Sequence, residues 1–264
     1  MIDRRKPLLR AFCAVKGHAF DRNAFEDMLR ACGAEPTIVD QPAAAAMIEA
    51  DLVDDYDVVV LHDMWGLDFR APRDERPAPI EPGDALKAGW ARILARGTGI
   101  LAIHHAIAAW PAWDDYARML GGRFLYRDGT LCGTARQDSG YCPDARYTAA
   151  TAPHAVTAFV ADRFDLDDEL YAMELLESEG LEPLLTRETD IEPARFLSAQ
   201  NAVRRIEGAS WSPPNDARLI GWAKTADASR VVYLQPGDGP QTFAHPEYRK
   251  LVANALNWIA PPRG

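Results

Sequence analysis

Histidines and carboxylates follow several of the apolar runs in this chain. The run Gly-Ile-Leu-Ala-Ile at 99–103 stops at His104-His105. The first apolar run, 8–15, leads to Gly17-His18; a second, 56–61, leads to His62-Asp63; a late one, 230–234, leads to Gly237-Asp238-Gly239. Imidazole, with an ordinary pKa of about 6.5, can act as general base, general acid or metal ligand. No Ser, Thr or Cys lies in 102–106, so a covalent acyl mechanism at that strand-to-helix elbow lacks its nucleophile. His62 and Asp63 must face opposite sides of their strand, and Asp63 is taken as the crevice-facing one, with Trp65 offering a ring face to a ligand. Glu169 is a further candidate acid, base or ligand, and His154, after Pro153, a further polar contact. Each has a plainer reading: a strand-end histidine bonded to backbone, a packing tryptophan, a turn aspartate, or a solvated acidic turn around 165–169.

His18, His104 and Glu169 match in type a two-histidine, one-carboxylate metal set, yet nothing like HExxH spacing joins them. No cofactor is therefore expected, and a divalent metal stays an open alternative.

If these strands are parallel neighbours, all the polar clusters share one crevice at the carboxyl edge of a sheet, where open α/β folds bind ligands. The alternation of elements supports that. Asp21 is a plausible N-cap for a helix over 23–32, whose Phe25, Met28, Leu29 and Cys32 share a face before Gly33 ends it. A short strand at 36–39, an alanine-rich helix at 43–50 and the nearly all-apolar strand at 56–61 follow. The Pro- and charge-rich stretch 66–81 reads as a long functional loop, and Pro82 as the first turn of a helix running to Gly97. After the His104 strand a helix is expected to end near Leu120-Gly121-Gly122. From 123 to 212 short strands and turns replace helices. The last helix, 246–259, carries Tyr248, Leu251, Val252, Ala255 and Ile259 on one stripe. The expected fold is α/β, with a mostly parallel sheet and helices on both faces. The expectation is one domain over 1–264 with an irregular or antiparallel portion at 123–212.

The chain has 264 residues, enough for one large core without disulfide or metal staples. Its 29 Lys and Arg against 39 Asp and Glu give a net charge of −10, which argues against a nucleic-acid groove. No apolar run approaches the roughly 18 residues of a membrane span. The basic start, 1–7, precedes a strand rather than a signal-peptide core, so a cytoplasmic, reduced protein is expected. Cys13 and Cys32 read as small buried residues, while Cys132 and Cys142 are spaced without any CxxC motif.

Taken in order, Gly17-His18 with Phe20-Asp21, the 56–60 strand, 99–106, Leu120-Gly121-Gly122-Arg123-Phe124, Pro153-His154, Asp168-Glu169-Leu170-Tyr171 and the closing 230–233 strand resemble the ThuA-like (trehalose utilisation) family over nearly the whole chain. The resemblance implies a three-layer, flavodoxin-like fold of the class I glutamine amidotransferase-like type. It places His104 where true amidotransferases carry cysteine, so glutaminase activity is not expected. The chain departs from the family pattern at Gly237-Asp238, where Gly-His is common, and at His105, where a small residue is more usual.

The resemblance implies carbohydrate catabolism on a sugar derivative such as a keto-disaccharide or keto-glycoside, and isomerisation, elimination or hydrolysis would all fit the residues. His104 is the expected proton-transfer group, with Glu169 or Asp238 as partner, and His18, Asp63, Trp65, His105 and His154 as substrate contacts. A non-catalytic sugar-binding or sensing domain and a metal-dependent hydrolase are the alternatives. The partner expected is a small sugar, with no nucleic acid or membrane; self-association into a homo-oligomer stays open.

Overall fold

A computed structural model describes residues 8–261; the basic stretch 1–7 lies outside them. Nine long strands form the frame: β1 (Leu9–Lys16), β2 (Ala34–Asp40), β3 (Val58–Asp63), β4 (Gly99–Ile103), β5 (Gly140–Thr151), β6 (Arg163–Ala172), β7 (Glu182–Arg187), β8 (Leu219–Ala226) and β9 (Ser229–Leu234). They lie in one sheet in the order β6-β5-β7-β8-β9-β4-β3-β1-β2, and the short strand Leu197–Ser198 pairs with β5. From β2 to β9 neighbours are parallel. From β9 outward to β6 every pairing is antiparallel. β6 thereby points the same way as β9 and β4, so its Glu169 and Tyr171 arrive at the same edge as the ends of the parallel strands.

Among the described residues seven α-helices accompany the sheet: α1 (Arg22–Ala31), α2 (Ala43–Glu49), α3 (Asp84–Ala95), α4 (Asp114–Leu120), α5 (Ala199–Arg204), α6 (Pro240–Ala244) and α7 (Pro246–Ile259). Period-two alternation divides the core. Ala11, Cys13, Val15, Val58, Val60, Leu101 and Ile103 face a cluster with Phe25, Met28 and Leu29 of α1, Phe243 of α6 and Leu251 and Val252 of α7. Phe12, Ala14, Val59, Leu61, Ile100 and Ala102 face the other cluster, with Ile48 of α2, Trp90 and Ile93 of α3 and Tyr116 and Met119 of α4. Helices thus cover both faces, giving three layers.

Asp21 caps α1 as its sequence requires, its carboxylate accepting from the Ala24 N–H at 2.9 Å. One helix start is corrected. Gly83, not Pro82, is the N-cap of α3, so Pro82 lies outside the first turn. The helix ending at Leu120 is short, because Pro111 interrupts the stretch after the 3₁₀ turn His104–Ala108 and α4 begins only at Asp114. The loop 66–81 is anchored rather than free. Leu67–Asp68 pairs with Ala78–Pro79, Arg73 donates to the carbonyls of Arg204 and Arg205, and Arg204 Nε donates to the Arg76 carbonyl at 3.1 Å. All four cysteines are free.

Candidate active site

Loops from β1, β3, β4 and β9 meet the end of β6 above the carboxyl edge of the sheet. His104 opens its 3₁₀ turn with φ +46°, a left-handed conformation unfavourable for a side chain and commonest where geometry serves a site. Its Nδ1 donates to the Gln235 carbonyl at 2.5 Å, and the His104 carbonyl accepts from Tyr233 Oη at 3.1 Å. The Tyr171 ring stacks on the imidazole at 4.4 Å. With the proton fixed on Nδ1, the Nε2 lone pair looks at Asp238 Oδ1, 3.7 Å away, and Glu169 Oε2, 4.0 Å away, and makes no hydrogen bond. Acceptor therefore faces acceptor unless a proton or a cation lies between.

His105 is next to it, with Nδ1 against Tyr171 Oη at 3.1 Å and Nε2 3.3 Å from Asp238 Oδ1. Its ring packs against those of His18 at 4.2 Å and His62 at 5.1 Å. His62 is held on its other sides by Phe20, Phe25 and Phe243, and its Nε2 meets the Gly237 carbonyl at 2.9 Å. The tight loop carrying Asp238 is fastened from below. Asp168, buried on the α6 side of β6, accepts from Gly237 N–H at 2.6 Å, from Thr242 Oγ1 at 2.8 Å and from Asp238 N–H at 3.3 Å.

Burial dominates the electrostatics. It pushes His62 and His104 down to about 4 and His105 well below the ordinary value, so all three are held neutral. It pushes Asp168 up to about 7 and Glu169 up to about 8, the charge of Asp238 adding to both. The ion-pair partners of Glu169 and Asp238 are imidazoles alone; no lysine or arginine pairs with either among the described residues.

Above this floor lies a cavity of about 340 Å³, within the range of small-ligand sites, walled by Phe69, Phe124, Tyr126, Tyr141 and Tyr171 and by Met64 and Val203. Gly17, His18 and Glu169 reach it from the floor. Gly17 is obligatory: at φ +103° it passes so close that a Cβ would collide with the Met64 carbonyl.

Five of the eight residues singled out in the sequence, His18, His104, His105, Glu169 and Asp238, are brought together here. His104, however, does not meet the cavity. It is 0 % exposed, one layer beneath Glu169 and Asp238, whose side chains are 13 % and 31 % exposed. Asp63 is corrected to the opposite face: Val58, Val60 and His62 point to the α1 side, so alternation sends Asp63 to the α2–α3 side. There Gln41 Nε2 donates to it at 2.8 Å, and burial pushes it up to about 7. Trp65 packs half-buried into the second core cluster and does not line the cavity. His154 lies at the far, amino edge of the sheet, where Nδ1 accepts from Val156 N–H at 3.0 Å, the ring abuts Trp258 at 5.1 Å and Nε2 is 3.7 Å from Glu182.

His62, Asp168 and the aromatic wall went unassigned. Two signals could have found them: the parity of His62 with Val58 and Val60, and the i,i+2 pairs Glu169/Tyr171 and Phe124/Tyr126, whose members share a side of an extended chain. Within reach of a metal ion, two sets have ligand atoms within 4.8 Å of one another: His18, His105 and Asp238, and His104, Glu169 and Asp238.

The architecture is a three-layer α/β fold with histidine at the elbow after β4. Similar structures include a ThuA-like protein from Parabacteroides merdae (12 % identity, TM-score 0.64, 96 % of this chain and 90 % of that one). PurLQS from Thermotoga maritima (14 %, TM-score 0.55, 96 % and 99 %) and a cytoplasmic protein from Salmonella typhimurium (14 %, TM-score 0.58, 96 % and 99 %) are also similar. No curated protein matches the chain. The ThuA family, described as trehalose utilisation, matches residues 14–259, and the chain belongs to it. That membership points to carbohydrate metabolism. Among the described residues no helix is long and apolar enough to cross a membrane.

Proposed function

We propose that this chain is a cytoplasmic enzyme of carbohydrate breakdown that acts on a sugar derivative, a keto-disaccharide or keto-glycoside, by general acid–base chemistry in the cavity above β4, β6 and β9. The observation that carries the reading is Glu169 at the base of an aromatic-walled cavity, with both it and Asp238 facing His104 Nε2. Tyrosine walls suit a sugar, since ring faces cover its C–H surfaces while hydroxyls meet its oxygens.

Glu169, the carboxyl that lines the cavity, is the group that exchanges a proton with substrate. His104 is a positioning residue in this scheme. Its enclosed, neutral imidazole faces both carboxyls, with Nε2 3.7 Å from Asp238 and 4.0 Å from Glu169. Isomerisation, elimination and hydrolysis beside a keto carbon all need this proton transfer.

The test is turnover of 3-keto glycosides by the purified protein, followed by NMR, for wild type and Glu169→Gln. A loss of about 10²–10⁴-fold in kcat, the usual worth of a positioned acid or base, is expected in the variant. Sugar binding without turnover in wild type, or unchanged kcat in Glu169→Gln, defeats the reading.

A further inference from the structure

We propose that His18, His105 and Asp238 form a binding site for a divalent first-row transition-metal cation at the floor of this cavity. Their ligand atoms lie within 4.8 Å of one another. Two donors bound at 2.0–2.2 Å to one tetrahedral ion stand about 3.3–3.6 Å apart. The 3.3 Å between His105 Nε2 and Asp238 Oδ1 fits that separation, and the exposed His18 brings a third donor within 4.8 Å of both.

The second observation is independent of spacing. His105 Nε2 is buried and makes no hydrogen bond, which is costly for a polar atom unless something absent from the protein occupies the position. Its other nitrogen is already engaged by Tyr171 Oη, the arrangement by which metal-binding imidazoles are oriented. The surroundings agree: neither Glu169 nor Asp238 has a lysine or arginine partner among the described residues, so no side-chain cation occupies the place of the ion. Two imidazoles with one carboxylate select zinc, iron, nickel or manganese over magnesium and calcium, which prefer all-oxygen sets. Because His18 lines the cavity and Asp238 is partly exposed, the remaining coordination positions open toward substrate, where vicinal hydroxyl and keto oxygens of a sugar could bind.

The test is calorimetric titration of the chelator-stripped, full-length protein with Zn²⁺, and with Co²⁺ for its visible absorption. One ion per chain is expected. His18→Ala and Asp238→Asn, both at accessible positions, should each weaken binding by about 100-fold or more, and Tyr171→Phe by about 10–100-fold. No binding by the wild type, or binding undiminished in both ligand variants, overturns the proposal. The cation's use rests on the sugar chemistry proposed above, but the titration contains no sugar. A chain that holds no ion yet turns over keto-glycosides removes this inference alone; one that holds the ion and transforms no sugar removes the earlier reading alone.

Discussion

Replacing Asp63 by asparagine separates the buried carboxyl on the far face of the sheet from the site chemistry. Asp63 Oδ2 accepts from Gln41 Nε2, while Oδ1 has no partner and the residue is wholly enclosed. Its pKa rises from the ordinary 3.8 to about 7 in the folded protein because burial penalises the charge. The folded-state pKa is therefore above the unfolded one. The stability this carboxyl allows is complete below about pH 4 and is lost as pH climbs through 7. At about 1.4 kcal/mol per pH unit, the interval corresponds to as much as about 4 kcal/mol by pH 8. Asparagine keeps the acceptor for Gln41 but cannot ionise. Its unpartnered amide adds a pH-independent cost of about 1–3 kcal/mol, so the informative quantity is the slope. Urea unfolding of both proteins, followed by circular dichroism between about pH 5 and pH 8, should show wild type losing ground steadily to the variant. Keto-glycoside turnover should be equal in the two. A stability difference that is flat with pH, or a variant without turnover, refutes the placement of Asp63 away from the cavity in a charge-excluding pocket.

Gly17→Ala drives a Cβ into the Met64 backbone in a left-handed conformation, and thermal unfolding should show a loss of at least about 1–2 kcal/mol together with weakened sugar binding. Asp168→Asn turns an amide N–H toward the Asp238 and Glu169 N–H groups that the carboxylate now receives, so about 1–3 kcal/mol of stability and much of the turnover should go. His154→Ala removes a local cap, a contact with Trp258 and the approach to Glu182, all at the opposite edge. Turnover should be unchanged and stability lowered by about 1 kcal/mol, as denaturant midpoints would report.

The parallel half of the fold was legible because its signals are local. Apolar runs of five or six residues, Asp21 at a helix start and the stripe on α7 need no knowledge of the partner strand. The site was legible to the extent that strand ends in a parallel sheet share an edge, which is why His18, His104, His105 and Asp238, though distant in sequence, meet. Alternation decides against the expectation for Asp63, because it is His62 that shares its side with Val58 and Val60 and packs on Phe25. Two things lie beyond local pattern. The depth of His104 depends on the Tyr171 ring from β6 and the Asp238 loop from β9 closing over it. The aromatic wall depends on the loop 66–81 being fastened to α5, which brings Phe69 and Val203 to one mouth. Trp65 and His154 illustrate the converse, since aromatic and imidazole side chains also pack and cap.

The most direct measurement is a crystal structure of the protein soaked with a 3-keto glycoside, ideally in Glu169→Gln to slow turnover. The account predicts the sugar seated among Tyr126, Tyr141 and Tyr171 with an oxygen in hydrogen-bond reach of residue 169. Sugar density confined to any other surface, with this cavity filled only by solvent at saturating ligand, contradicts it.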